Sequence, residues 1–360
     1  MVLTVNAPSR EYPIYIEDSY GGLAEAVRAS GLRGSVALIV TDTNVAPLYE
    51  GAVKRELSAV FSKLQSVRLH AGEEHKNLNA VSGLYQKAAE AFLDRESVVF
   101  ALGGGVVGDT AGFFAATFMR GLPFVQLPTT LLSCVDSSVG GKTGVDFAGW
   151  KNLVGAFYQP RFVYINSGTL ATLPRVQFNS GMGEVIKHGL IRDAGYYNFV
   201  SERRADIAAL EPEALKRVIE GSCRIKAEIV GLDEKESGLR EILNFGHTFG
   251  HALESASNFK LPHGLCVMKG CAAAMRLGAA RGELAEVDLL GFLELARFFG
   301  MEEITGGAGL YAPEKLAALM RGDKKARGGA PRFVLLERVG AAKIVSDIPE
   351  EQVKAAMALC

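Results

Sequence analysis

The chain predicts a two-domain protein, with an α/β domain on a parallel sheet followed by a mostly α-helical domain. Three observations predict this. Short β-rich runs alternate with helical patterns through the first half, as expected of parallel strands joined by crossover helices. A glycine-rich turn, GGGVVGDTAG at Gly103–Gly112, leads from a strand into a helix. From about Pro174 the pattern changes to long helical periods.

Taken in order, the strands are expected at SVALIVTD (Ser35–Asp42), LQSVRLH (Leu64–His70), VVFALGG (Val98–Gly104) and PFVQLP (Pro123–Pro128). A helical pattern, the first from Val45, fills each gap between them. Ser97–Met119 is apolar enough to resemble a membrane span, but Asp109 and the run GGGVVG split it into a strand and a helix. In the second half, Glu211–Glu213 (EPE) reads as a helix start with proline in the first turn, and Leu215, Val218, Ile219, Ile225 and Ile229 follow at helical spacing. PRFVLLERVG and KIVSDI suggest a small hairpin before a last helix from Pro349. The domain boundary is expected near residues 165–175, giving domains 1–170 and 171–360.

Composition narrows the function. The 360 residues carry 39 Lys+Arg against 40 Asp+Glu, and 48% are hydrophobic. Such a chain buries a full core, which excludes disorder. Its even charge balance argues against nucleic acid or an anionic membrane as partner, so a small molecule is expected. The five cysteines are odd in number and contain no CxxC pair, which fits reduced thiols in cytoplasm. MVLTVNAPSREYPIYI has neither a basic nor an apolar leader region, so no export signal is expected.

Gly103, Gly105 and Gly108 satisfy GxGxxG, where bare backbone amides at a helix start can approach a pyrophosphate. The match is incomplete, because no acid follows about 20 residues on to hold a ribose. TDTN (Thr41–Asn44) ends an earlier strand at the same sheet edge, although Asp42 serves equally well as a helix cap. Two such turns on one edge favour a nucleotide site. His247 and His251 stand four apart on one helix face, and His263 follows twelve residues after His251. The cluster suggests a catalytic zinc or iron site, completed by Glu184, Glu254 or Glu236. VDSSVGGKTG lacks the first glycine of a P-loop, yet Lys142 sits after glycines, where an ammonium reaches a phosphate. Arg120, Lys151, Lys187, Lys226, Arg240, Lys324 and Lys325 stand in short motifs, and together they suggest a substrate with two anionic groups.

GGGVVGD, FMRG, PTTLLSCVDSSVGGKTG, KN, GEVIKHGLI, CRIKAE, LREILNFGHTFGHALE, LPHG and GDKK, from about Asp42 to Lys325, resemble the 3-dehydroquinate synthase family in order and spacing. The resemblance implies a Rossmann-like N-terminal domain, an α-helical C-terminal domain, bound NAD, one zinc or cobalt ion and a homodimer. It implies that Glu184, His247 and His263 hold the metal, which makes His251 a catalytic group and not a ligand. Glu236 matches a proton acceptor. Substrate positions correspond to Arg120, Asp136, Lys142, Asn152, Lys187, Lys226, Arg240 and Asn244, with Lys324 or Lys325; Lys142 and Arg240 are also expected to act in catalysis. NAD positions correspond to Asp42, Thr43, Asn44, Glu73, Lys76, Gly104, Gly105, Val106, Asp109, Thr129, Thr130, Lys151, Thr169, Leu170, Ala171 and Thr172. Two positions depart from the family pattern: Gly183 replaces an alanine before Glu184, and Ser180 replaces an asparagine found in some members. The activity implied is conversion of 3-deoxy-D-arabino-heptulosonate 7-phosphate to 3-dehydroquinate and phosphate. The steps are transient oxidation, elimination, re-reduction and aldol closure. Inosose- or valiolone-forming cyclases and metal-dependent polyol dehydrogenases of glycerol-dehydrogenase type are the alternatives.

Overall fold

The computed structural model describes residues 1–258, 260–301, 311–321 and 332–358. The chain packs as two compact units, Met1–Leu173 with Lys226–Glu234, and Pro174–Ile225 with Lys235–Cys360. The division falls at Leu173/Pro174, and Lys226–Glu234 groups with the first unit although it lies in the helical half of the sequence.

The first unit contains β1 (Val2–Ala7), β2 (Arg10–Glu17), α1 (Leu23–Ala29), β3 (Val36–Asp42), α2 (Gly51–Leu57), β4 (Lys63–Leu69), α3 (Leu78–Glu90), β5 (Val98–Gly103), α4 (Gly105–Thr117), β6 (Phe124–Pro128), β7 (Lys142–Phe147), β8 (Trp150–Phe157) and β9 (Val163–Asn166). Seven strands form one sheet in the order β1-β2-β9-β6-β5-β3-β4. All neighbours run parallel except β1 and β2. Side chains alternate across the strands, so both faces are apolar. Ala37, Ile39, Phe100 and Leu127 pack on α1 and α2, while Val36, Leu38, Val40, Val99 and Phe124 pack on α3 and α4. That double burial explains why VALIV and VVFAL read as unbroken apolar runs.

Because β3, β5 and β6 are parallel neighbours, their C-terminal ends emerge on one edge, with Gly103 paired to Pro128. Thr41–Asn44, Gly103–Gly105 and Thr129–Thr130 are thereby gathered at the edge where open α/β sheets bind ligands. The antiparallel pairs β1/β2 and β7/β8 were not among the expected strands. The first joins its strands through a two-residue turn, so no helical pattern separates them as it separates the parallel strands. The second is interrupted by Gly144, Gly149 and Gly155, which mask its alternation. Gly144 and Gly155 face each other there, and a Cβ on Gly155 would lie 2.1 Å from the Thr143 carbonyl oxygen.

The second unit contains α5 (Arg175–Arg192), α6 (Ala194–Glu202), α7 (Arg204–Ala208), most of α8 (Pro212–Leu232), α9 (His247–Ala256), α10 (His263–Ala280), α11 (Glu286–Phe298), α12 (Pro313–Arg321), the hairpin β10 (Phe333–Arg338) and β11 (Ala341–Val345), and α13 (Glu350–Met357). Helix α8 begins at the expected proline, and its apolar stripe Leu215, Val218, Ile219, Ile225 and Ile229 is buried. Helix α10 is the central element, with Cys266–Met275 wholly buried. It meets α9 through glycines: a Cβ on Gly270 would lie 1.9 Å from the Gly246 carbonyl oxygen and 2.8 Å from the Gly250 nitrogen. No described helix is long and apolar enough to cross a membrane.

Candidate active site

Functional side chains gather in two groups, one within each unit. In the first, the turn from β5 into α4 places Gly104 at the cap and Gly105 at the first helical position. The leading N–H groups of a helix have no acceptor in the helix itself, and α4 presents them at the ligand edge of the sheet. Space there is limited. A Cβ on Gly104 would lie 3.1 Å from Thr130 Cγ2, and one on Gly105 would lie 3.1 Å from Ser137 Oγ. Gly103 and Gly108 serve packing, since a Cβ would come within 2.6 Å of Val107 Cγ2 or 2.7 Å of Gln126 Oε1. Thr129 Oγ1 is buried and has no hydrogen-bond partner among the described residues. An anion at the amides of Gly105 and Val106, with a polar group on Thr129, fits this cradle.

Around it, Lys76 is 4% exposed and donates to Asp109 Oδ2 and to Asn152 Oδ1, each at 2.6 Å. Burial works against its charge, but the carboxylates around it, Asp109 first and then Glu73 and Asp146, together outweigh burial and raise the lysine pKa. Lys151 Nζ lies 3.8 Å from Glu73 Oε1. The Asp42 carboxylate accepts from the N–H groups of Asn44 and Val45 at 2.8 and 2.9 Å, which closes the turn after β3; the helical segment that follows is capped by Val45, not by Asp42. Thr43 ties the end of β3 to β4, donating its N–H to Leu69 O and accepting from the Ala71 N–H. Thr169, Leu170, Ala171 and Thr172 form a single 3-10 turn whose Thr169 carbonyl accepts from the Tyr49 hydroxyl. Among the expected substrate groups of this unit, Lys226 Nζ donates to Asp136 Oδ1 at 2.7 Å. Lys142 is exposed at the start of β7. Arg120 is exposed with φ 68°, directly after Met119 at φ 50°, two consecutive left-handed residues without glycine's freedom.

In the second unit, three helices converge. Glu184 lies on α5 and is fully buried, whereas His247 and His263 are the first residues of α9 and α10. His247 Nε2 and His263 Nε2 lie 3.7 and 3.6 Å from Glu184 Oε1. One ligand atom from each of the three falls within 4.8 Å of the other two. Bonds of about 2.0–2.2 Å set tetrahedral zinc ligands about 3.4 Å apart, and both histidine–glutamate separations lie close to that spacing. The outer nitrogens are engaged elsewhere. His247 Nδ1 meets the Phe245 carbonyl at 3.2 Å, and His263 Nδ1 meets Glu254 Oε1 at 2.7 Å. Both rings therefore turn Nε2 inward. Burial opposes protonation of His263, but hydrogen bonds to Glu184 and Glu254 carry its pKa up to about 9. The two carboxylates favour positive charge at this point, whether it is a proton on Nε2 or a metal ion that displaces that proton.

His251 stacks edge-on against His247, with ring centroids 5.3 Å apart, and is not one of the three converging ligands. Lys187, 2% exposed, forms an ion pair with Glu184. Arg240 and Asn244 lie in the 3-10 segment Leu239–Asn244, and Glu236 precedes it: Asn244 Nδ2 donates to Glu236 Oε1 at 2.8 Å, and Arg240 is 1% exposed. Ser180 Oγ accepts from the Gly264 N–H at 3.0 Å, which secures the start of α10. A Cβ on Gly183 would lie 3.1 Å from the Gly264 carbonyl oxygen, so both departures from the family pattern face α10. Lys324 and Lys325 lie outside the described residues. Glu254, left open as a ligand by spacing alone, instead bonds the outer nitrogen of His263; its place seven residues after His247 on one helix face is the signal for that contact.

The sequence profile described as 3-dehydroquinate synthase N-terminal matches residues 66–180, and the C-terminal profile matches residues 181–326. The chain belongs to the 3-dehydroquinate synthase family. A curated 3-dehydroquinate synthase of Symbiobacterium thermophilum is 44% identical over 347 residues, covering 95% of this chain and 96% of the relative. Among solved structures, 2-deoxy-scyllo-inosose synthase complexed with carbaglucose-6-phosphate, NAD+ and Co2+ shares the fold, with a TM-score of 0.88 at 23% identity and 99% coverage of both chains. A 2-epi-5-epi-valiolone synthase from Streptomyces hygroscopicus subsp. jinggangensis with NAD+ and Zn2+ bound gives a TM-score of 0.87 at 28% identity, covering 96% of this chain and 95% of that one. The 3-dehydroquinate synthase match takes in both side-chain groups, from Glu73 to Lys226 in the first unit and from Glu184 to His263 in the second.

Proposed function

We propose that this chain is a 3-dehydroquinate synthase, a carbon–oxygen lyase that converts 3-deoxy-D-arabino-heptulosonate 7-phosphate to 3-dehydroquinate and phosphate in aromatic biosynthesis. The observation that carries the reading is identity above 40% to curated enzymes of that name over nearly the whole chain. NAD+ supplies reversible hydride acceptance, and a zinc or cobalt ion supplies Lewis acidity at a substrate oxygen.

The chain's own residues divide the remaining work. Gly104, Gly105 and Val106 present the amides of α4 to the cofactor's pyrophosphate, with Thr129 and Thr130 beside them. Asp42, Thr43, Asn44 and the Thr169–Thr172 turn line the rest of the cofactor's path. Glu73, Lys76, Asp109 and Lys151 form the charged end of that site; the Lys76 contacts to Asp109 and Asn152 support this grouping. Glu184, His247 and His263 hold the metal, supported by their convergent inner atoms. A substrate with a carboxylate at one end and a phosphate at the other needs cations at both. Arg120, Lys142, Lys187, Lys226 and Arg240 supply them, with Lys324 or Lys325. Asp136, Asn152 and Asn244 orient substrate hydroxyls and the cations beside them. His251, stacked on a ligand and outside the metal set, moves protons, and Glu236 accepts one.

The protein acts as a cytoplasmic homodimer in this reading. Cys134, Cys223, Cys266 and Cys271 are buried thiols, which suits a reducing compartment. On the β7/β8 hairpin, Val154 and Ala156 pack inward, while Phe147, Trp150, Leu153 and Phe157 are each 44–49% exposed, an apolar face suited to a second copy.

The test is phosphate release from the heptulosonate phosphate with catalytic NAD+, with and without a chelator. Release of one phosphate per dehydroquinate, no net NADH and loss of turnover on chelation are expected. No phosphate release, or NADH accumulating with a simple polyol, overturns the assignment and favours the polyol dehydrogenase alternative.

A further inference from the structure

Glu254 is a buried carboxylate with no part in the ligand set, the cofactor cradle or the substrate contacts. It is 2% exposed and stands on α9, seven residues after His247 and three after His251, so the three side chains share one stripe of the helix. Its Oε1 lies 2.7 Å from Nδ1 of His263, on the neighbouring helix α10. The two nitrogens of an imidazole point away from each other, so a carboxylate on Nδ1 lies across the ring from Glu184, which faces Nε2 at 3.6 Å.

Glu254 accepts from Nδ1–H, which stops the ring from rotating and keeps that proton on Nδ1 when Nε2 gives up its own to a metal ion. His247 obtains the same restraint from a neutral group, the Phe245 carbonyl at 3.2 Å. The histidines therefore differ: one is oriented by a backbone dipole, the other by a full negative charge that raises the donor strength of its inner nitrogen. We propose that Glu254 is the positioning residue of the metal centre, making His263 its stronger imidazole ligand and joining α9 to both histidines, one by covalent attachment and one by hydrogen bond. The inference rests on the ligand reading given above.

The test compares Glu254→Gln, Glu254→Ala and His263→Ala in the full chain, stripped of metal and titrated with Zn2+ against a chromophoric chelator. Visible absorption of the Co2+-loaded proteins and thermal midpoints of the stripped proteins are recorded alongside. Glu254→Ala should weaken Zn2+ binding roughly 10–100-fold. Glu254→Gln keeps an acceptor but loses the charge, so it should fall between Glu254→Ala and the parent and shift the Co2+ absorption bands. If Glu254→Ala does not fold, the glutamine variant carries the comparison. A lowered midpoint with unchanged Zn2+ affinity and unchanged Co2+ bands in Glu254→Gln would assign the residue a merely structural role and overturn the proposal. Retention of full metal affinity by His263→Ala would instead show that the ligand reading itself is wrong.

Discussion

Replacing Gly270 by alanine tests whether the spacing of α9 and α10 builds the proposed metal centre. The added Cβ would lie 1.9 Å from the Gly246 carbonyl oxygen and 2.8 Å from the Gly250 nitrogen. Ordinary contact begins near 3.4 Å, so α10 must withdraw by about 1.5 Å from the turn that launches His247. Backbone meets backbone at this point, and no side-chain rotation relieves it. Overpacking of this kind costs roughly 1–3 kcal/mol, and the severity of the clash places it at the upper end. Alanine's better helix propensity returns about 1 kcal/mol. The net expectation is a loss of about 2 kcal/mol, or about 4–8 °C in the midpoint of a unit this size. The functional effect is larger in proportion. His247 and His263 open the two helices being separated, while metal–ligand distances tolerate only about 0.2 Å. Zn2+ affinity should fall at least about tenfold, measured by chelator competition beside a thermal melt. A Gly270→Ala protein with parental Zn2+ affinity and an unchanged midpoint would refute the reasoning, because the site could not then depend on that approach.

His263→Ala should lose metal and turnover together, whereas His251→Ala should keep its metal and lose turnover; metal analysis of the two purified proteins decides. Lys142, exposed at the start of β7, should on replacement by alanine raise KM or lower kcat with NAD+ affinity intact, and a selective loss of NAD+ affinity counts against its substrate role. Glu50, 3% exposed, pairs with Lys54 at 2.6 Å and Arg68 at 2.8 Å. Burial pushes its pKa up, but these partners together with Ser66 bring it down to about 2. A depressed carboxylate stabilises the fold above its unfolded value near 4.5, and that contribution is lost as pH falls through about 2. Glu50→Gln should therefore be less stable by about 1–2 kcal/mol at neutral pH, the full shift being discounted for two exposed partners. Denaturant melts should show the gap closing between pH 4.5 and 2.

The α/β half was legible because its physics is local. Strands buried on both faces must be apolar throughout, so VALIV and VVFAL identify themselves, and parallel crossovers then place Asp42, Gly103 and Thr129 on one edge. The β7/β8 hairpin was not legible, since glycines at 144 and 155 pair across it and break the alternation that marks a strand. In the proposed metal centre, spacing put His247, His251 and Glu254 on one stripe but left open which atoms converge. The answer depends on α5 and α10, whose approach is set by side chains that are missing. Gly246, Gly250, Gly264 and Gly270 allow contacts in which any Cβ would come within 2.9 Å of another group. Glycine's surplus in the sequence, 41 of 360, therefore has two separate causes. At Gly104 and Gly105 it clears the approach to backbone amides. Along α9 and α10 it brings two helix starts close enough for one carboxylate on α5 to face both histidines, and composition alone cannot distinguish the two uses.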